Sequence, residues 1–350
     1  LIAVLRELAR QGTAIVFISH KLKEVLALCD RVTVLRDGRT VGTADIQACT
    51  AHTLAEMMVG REINLSRPAR SLAPQPSSPP SLVLQNVSAL GSHSRPALRQ
   101  VNLQVHPGEI VGIAGVDGNG QQELEEVIAG LRPLTQGTLQ RQGGLAHIPS
   151  DRYAMGLIGE FSVADNLLLR DIDQPPFAVR GWLHPRRIAH HAAQLMQRFS
   201  IRAPSVQTPS GKLSGGMPKK IVIARELSGN HPVILAAQPT RGLDIGAMEY
   251  VHGQLMAQRQ AGAAILLIST ELDEILRLCD RIAVLYEGQI VGLIEAEAAD
   301  INHLGLMMAG KSRTDMSMPA VDRDGKTIRV EDSGEIWDRF TGADGNIGHA

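Results

Sequence analysis

Two stretches of this chain are copies of one another. Ile15 to Gly42 (IVFISHKLKEVLALCDRVTVLRDGRTVG) and Ile265 to Gly292 (ILLISTELDEILRLCDRIAVLYEGQIVG) agree at about half of their positions, at a constant offset of 250 residues. Leu54 to Gly60 matches Leu304 to Gly310 at the same offset. Self-similarity at a domain-sized period means that a whole folding unit has been duplicated. The second copy begins at Leu82, and the counterpart of that residue would precede residue 1. The first copy is therefore expected to lack its front two-thirds, as in a truncated or partial product.

The pattern of apolar residues gives a coarse order of elements. In the first copy Leu1 to Arg10 is helical, Thr13 to Ser19 reads as a β-branched strand, and Lys21 to Leu28 is helical again. Val32 to Leu35 and Thr40 to Gly42 form a hairpin across Asp37-Gly38, and a short apolar helix lies around Leu54 to Val59. Ser66 to Ser81 (SRPARSLAPQPSSPPS) is rich in Pro and Ser, cannot build a core, and reads as a linker. The expected units are thus 1–65, the linker 66–81, the complete copy 82–310, and a tail 311–350 that loses periodicity and reads as disordered. Within the complete copy, Leu82 to Ser88 and Ala97 to Val105 alternate like antiparallel strands. Phe161 to Ser210 is helical by pattern, most clearly from Arg186 to Phe199.

The residues that could carry chemistry sit on turns. Leu213 to Ala247 (LSGGMPKKIVIARELSGNHPVILAAQPTRGLDIGA) holds a Leu-Ser-Gly-Gly turn opening a helix, an apolar strand and a Pro-Thr-Arg-Gly-Leu-Asp turn. Ser214 is a suitable N-cap, and Gly215 and Gly216 leave backbone N–H groups bare at the positive end of a helix, which suits an anion. Val233 to Ala237, between Pro232 and Pro239, reads as a strand buried on both faces, as in parallel sheets. Upstream, strand Ile110 to Gly115 runs into GVDGNGQQEL. There Gly115, Gly118, Asn119 and Gly120 shape a loop that lets backbone approach a phosphate. Taken singly, each piece is equally well a plain turn, helix or core strand.

Composition closes off other classes. Lys and Arg number 35 against 36 Asp and Glu, so no charge excess points to nucleic acid, and aromatics at 3% offer few platforms for stacked bases. Three cysteines show no spacing for zinc or a disulfide framework, and no apolar run is long enough to span a bilayer.

In their order, the glycine loop, the LSGGM turn, the AAQPTRGLD strand and turn and the STELDE segment resemble the P-loop, signature, Walker B and D-loop, and switch region of ABC-transporter ATPases. The match is to the tandem ATP-binding subunits of bacterial importers for simple sugars (ribose and galactose type) and nucleosides. It covers Leu1 to Gly60 and Leu82 to Gly310. The resemblance implies an α/β fold of the ABC nucleotide-binding type: a RecA-like core with a parallel sheet, an antiparallel edge sheet and an α-helical subdomain. It implies ATP and Mg²⁺ as cofactors and integral-membrane permease subunits as partners. A second ATPase domain pairs head to tail, a periplasmic or lipoprotein solute-binding protein acts indirectly, no nucleic acid is bound, and the protein sits peripherally on the cytoplasmic face of the plasma membrane.

The same resemblance exposes losses. Gln121 stands where the P-loop lysine belongs and Gln122 where a hydroxyl would hold Mg²⁺. Ala237 and Gln238 replace the Walker B Asp-Glu pair, and Thr270 replaces the switch histidine. No metal ligands are therefore assigned, and Mg²⁺ is doubtful at this site. His20, the repeat-mate of Thr270, is the candidate catalytic histidine of the first copy, and Asp244 is the D-loop aspartate. Ala-Gln together with Asp117-Gly118-Asn119-Gly120-Gln121 leans toward the nucleoside branch. No glutamine occupies the Q-loop position, His147 to Arg152, where Asp151 or Arg152 could substitute. Two readings stand: an ATP-hydrolysing importer subunit present as a fragment that cannot hydrolyse ATP alone, or a non-catalytic module that only pairs with another ATPase domain or permease. A soluble tandem ABC protein acting on ribosomes or DNA fits less well, since such proteins usually keep intact P-loops.

Overall fold

The computed structural model describes residues 2–19, 21–36, 38–60, 78–213, 215–310, 320–321 and 327–328. His20, Ser214, most of the linker and most of the tail lie outside the described residues. In the leading segment, α1 (Ile2–Arg10) and α2 (Leu22–Leu28) precede a hairpin of β1 (Arg31–Arg36) and β2 (Arg39–Asp45), which is antiparallel as its turn chemistry requires. The helix α3 (Ala51–Val59) follows. Thr50 caps it by accepting from Thr53 N–H, and Gly60 ends it in the left-handed conformation (φ 82°).

Thr13 to Ser19 is not a strand, contrary to its β-branched pattern. Val16 and Ile18 are 92% and 93% exposed. A strand needs ladder partners for its N–H and C=O groups, and the neighbours that flank the duplicate segment have no counterparts among residues 1–12.

The second copy opens with β3 (Leu82–Leu90), β4 (Pro96–Val105) and β5 (Ile110–Ala114), then α4 (Gln121–Ala129), β6 (Gln136–Arg141) and β7 (Leu145–Ile148). A helical region follows: α5 (Val163–Leu168), a two-residue hairpin of β8 (Ala178–Val179) and β9 (Trp182–Leu183), and α6 (Pro185–Arg198). Phe161 to Ser210 is thus less helical than its pattern suggests, since a Pro-Pro pair and a Gly-containing turn interrupt it. The chain continues through α7 (Met217–Leu227), β10 (Val233–Ala237), α8 (Ile245–Gln260), β11 (Ala264–Ile268), α9 (Leu272–Leu278), β12 (Arg281–Tyr286), β13 (Gln289–Glu295) and α10 (Ile301–Met308). In the tail, Ala320–Val321 and Thr327–Ile328 pair antiparallel.

A six-stranded sheet in the order β13-β12-β5-β11-β10-β7 organises the second copy, with only the β12/β13 pair antiparallel. Its central strands are all apolar because both faces are covered. Val233, Leu235 and Ala237 point into one core with α4 and the three-stranded antiparallel sheet β4-β3-β6. Ile234 and Ala236 point into the other, with α7, α8 and α9. Arg259 and Asp280 are buried together and bond at 2.9 Å, while Asp280 also accepts from Ile110 N–H at 2.9 Å, so this ion pair ties α8 to β5.

Candidate functional site

The C-terminal ends of β5, β7 and β10 open onto one cleft of about 670 Å³, the usual place for a ligand in an open α/β sheet. Asp117, Gln121 and Gln122 line it from the glycine loop. Ser150, Asp151 and Arg152 line it from beyond β7, Lys219 from α7, and Ala237, Gln238 and Arg241 from the end of β10. The loop residues, the β10 end and the segment after β7 are therefore brought together as the sequence implies.

The glycine loop keeps the backbone of a phosphate cradle. Gly118 and Gly120 adopt φ of 91° and 108°, and Gly120 leads into α4. Its interior, however, is occupied by its own side chain. Gln121 accepts from Asn119 N–H at 2.9 Å and donates to the Val116 carbonyl at 2.9 Å, so a neutral amide closes the loop on itself. Asn119 donates from its side chain to Val116, while its two oxygens accept from Glu287 and Gly288 N–H, fastening the loop to the β12/β13 turn. Gln122 donates to Glu126 at 2.9 Å along the cleft wall.

Opposite, Gln238 and Thr270 meet. Thr270 donates from its hydroxyl at 3.2 Å and from its backbone at 3.4 Å to Gln238 Oε1, and Gln238 sits at φ 46°. Two positions that carry charge in intact ATPases are here a closed neutral pair. What the loop retains of a phosphate cradle is its backbone, turned by Gly118 and Gly120 at positive φ. Mg²⁺ does not fit, because the positions that would coordinate it are Gln122 and Ala237, neither with a carboxylate or hydroxyl.

Asp244 caps α8 by accepting from Ala247 N–H at 2.8 Å. The helix after the signature turn begins at Met217 with Gly216 as its N-cap and no side-chain cap bond, with Pro218 in its first turn. Ser214 was expected to be that cap. The helix instead starts two residues later, where proline's fixed φ and missing N–H suit the first turn.

Lys219, Glu125, Thr240, His252 and Glu274 were not singled out from the sequence. Lys219 is 2% exposed, donates to the Pro149 carbonyl at 2.8 Å, and is lowered to about 8 by burial, against the pull of Glu125. Glu125 receives Ser150 N–H and His147, joining the glycine-loop helix to the segment after β7. The backbone N–H groups of Ala154 and Tyr153 hold the Asp151 carboxyl below the usual carboxylate range. Thr240, in the turn before Asp244, donates to Glu274 at 2.8 Å, and His252 bonds the same oxygen at 2.9 Å. No sequence spacing announces that three-way contact among α8, α9 and the turn.

A mostly parallel six-stranded sheet with flanking helices and a glycine loop before α4 gives an α/β fold of the kind seen in ABC ATPases. Residues 98–241 match the ABC transporter family. Structurally, the chain resembles a solved ATP-binding subunit of an ABC transporter with a TM-score of 0.55 at 20% identity, covering 65% of this chain and 99% of that one. It also resembles the dimeric bacterial ABC transporter cassette MJ0796, with a TM-score of 0.53 at 23% identity, covering 61% and 98%.

In sequence the chain is a relative of nucleoside and sugar import ATP-binding proteins. It is 40% identical over 327 residues to the guanosine import ATP-binding protein NupO of Bacillus subtilis, covering 89% of this chain and 64% of that protein. It is 37% identical to the nucleoside import ATP-binding protein NupA of Lactococcus lactis (89% and 63%) and 36% identical to a ribose import ATP-binding protein, RbsA 2, of Burkholderia ambifaria (86% and 61%). The chain thus spans somewhat less than two thirds of these relatives. Among the described residues, no helix is long and apolar enough to cross a membrane.

Proposed function

We propose that this chain is the ATP-binding, energy-coupling subunit of an ABC importer for nucleosides or simple sugars, with the nucleoside branch favoured. It works at the cytoplasmic face of a bacterial membrane against integral-membrane permease subunits, and a solute-binding protein delivers cargo from the other side. Its cleft holds a nucleotide without hydrolysing it. The observation that carries this reading is the neutral closure of the cleft: Gln121 is bonded inside its own loop, and Gln238 is bonded to Thr270. Hydrolysis belongs to the composite site to which the Ser214-Gly215-Gly216 turn and His20 would contribute, with Asp244 beside it.

Titration of a fluorescent ATP analogue against the chain, with and without Mg²⁺, tests this. The native chain binds equally well in both conditions, and Gln121→Lys tightens binding about tenfold, the size of one charge-assisted hydrogen bond. Binding that requires Mg²⁺, or a Gln121→Lys variant indistinguishable from the native chain, would refute it. The neutral residues at positions 121, 237, 238 and 270 also support a second reading, in which the domain is a purely pairing module. That reading predicts no nucleotide binding in either condition.

A further inference from the structure

Residues separated by the repeat offset touch each other. Lys21 Nζ lies 2.9 Å from Glu271 Oε1, and Lys23 Nζ lies 2.5 Å from Asp273 Oδ2, each pair 250 residues apart. Every one of these residues therefore faces its own duplicate. Such contacts arise where two copies of a surface meet about a local two-fold axis, the arrangement in which a patch must complement itself. An undiverged duplicate would place Lys on Lys or Glu on Glu there.

Among positions charged in both copies, the sign has changed at these points and not elsewhere. Between Ile15–Gly42 and Ile265–Gly292, six aligned positions carry a charge in both copies: 21/271, 23/273, 24/274, 30/280, 31/281 and 37/287. The sign is inverted at the first two pairs and kept at the other four. The inverted pairs are the two that touch. Beside them, off the axis, α3 packs on the start of α8 through Ala55 and Ile245, with Leu22, Met58, Val59 and Met248 around them.

We propose that this charge swap is a recognition code: the basic pair on the first copy selects the acidic pair on the second and rejects a second acidic copy. The partner of the Glu271/Asp273 surface is thus a duplicate of the same fold carrying two lysines. Both pairs are solvent-exposed, with side chains between 49% and 80% accessible, so they add little affinity. Their effect is on choice of partner, because like charges opposed at these points oppose pairing. The apolar contact of α3 with α8 supplies the adhesion that the charges direct.

A disulfide placed off the axis reads the pairing without touching the charges. A Cβ built on Gly246 would lie 3.3 Å from a γ carbon of Val59, which suits a disulfide between Val59→Cys and Gly246→Cys. The rate of this linkage within the full chain, verified by peptide mapping against the native cysteines, is measured in three backgrounds. Relative to the native charges, Lys21→Glu with Lys23→Asp slows linkage roughly fivefold, as two attractive exposed pairs become repulsive. Adding Glu271→Lys and Asp273→Lys returns the rate to within about twofold, which a damaged fold would not do. At about 1 M salt the three rates converge, since screening then acts over about 3 Å. Equal rates in all backgrounds, failure of the fourfold variant to recover, or a difference that survives high salt would overturn the proposal.

Discussion

Residues 15–18 and 265–268 are duplicates with nearly the same apolar pattern, yet they end in opposite environments. Leu266 and Ile268 are 0% and 2% exposed at the centre of the six-stranded sheet, while Val16 and Ile18 stand in solvent. The hairpins that follow, β1/β2 and β12/β13, keep the same register and the same irregularity, between Val34 and Leu35 and between Val284 and Leu285. A hairpin carries its own partner strand, so its shape survives transfer to new surroundings. A central parallel strand has no partner of its own; β5 and β10 make β11 a strand. The comparison separates structure that a segment encodes locally from structure that its neighbours confer.

Substitution at equivalent positions sharpens that contrast. Leu266→Asp buries an unpaired carboxylate between two sheets and is expected to cost about 4 kcal/mol or more, whereas Val16→Asp changes stability by less than about 0.5 kcal/mol. Urea unfolding of both variants measures the gap, and equal losses would mean that the leading segment is packed after all.

The hairpin turns give a smaller contrast of the same kind. Gly38 and Gly288 both sit at positive φ, 75° and 78°, but a Cβ at Gly288 would overlap the Ala97 carbonyl, while Gly38 has nothing within 4 Å. Gly38→Ala is expected to lose about 1 kcal/mol through φ alone, and Gly288→Ala about 2 kcal/mol more, read as the difference in denaturant midpoint.

Lys219 provides a comparison with no equivalent in the leading copy. Its folded-state value, about 8, lies below the ordinary 10.5, so the unfolded chain binds more protons between those values and stability rises with pH there. Below pH 8 the buried ammonium costs the fold on the order of 3 kcal/mol relative to an uncharged group. Unfolding measured at pH 7.5 and pH 10 should show this rise in the native chain and a flatter profile in Lys219→Gln.

What could be read in the sequence follows the same division. The hairpins, the glycine loop and the buried strand Val233–Ala237 depend on local spacing and were legible from it. Thr13 to Ser19 was misread because strand propensity says nothing about whether neighbours exist. The start of α7 at Met217 was misread because Ser214 offers good cap chemistry, while Pro218 two residues past Gly216 decides where the first turn sits. Within the cleft, the absence of charge at positions 121, 237, 238 and 270 was plain from register. That Gln121 would plug its own loop, or that Lys219 would lie buried beside Pro149, depends on side-chain directions that only the assembled sheet defines.

Hydrogen exchange followed by mass spectrometry tests the central claim, that the second copy is a complete sheet fold on which the leading copy rides. Peptides covering 265–268 should exchange only through global unfolding, as buried core strands do, while those covering 15–18 should exchange at near-unprotected rates. Comparable strong protection in both segments would contradict the account, because residues 15–18 would then have found strand partners that it denies them.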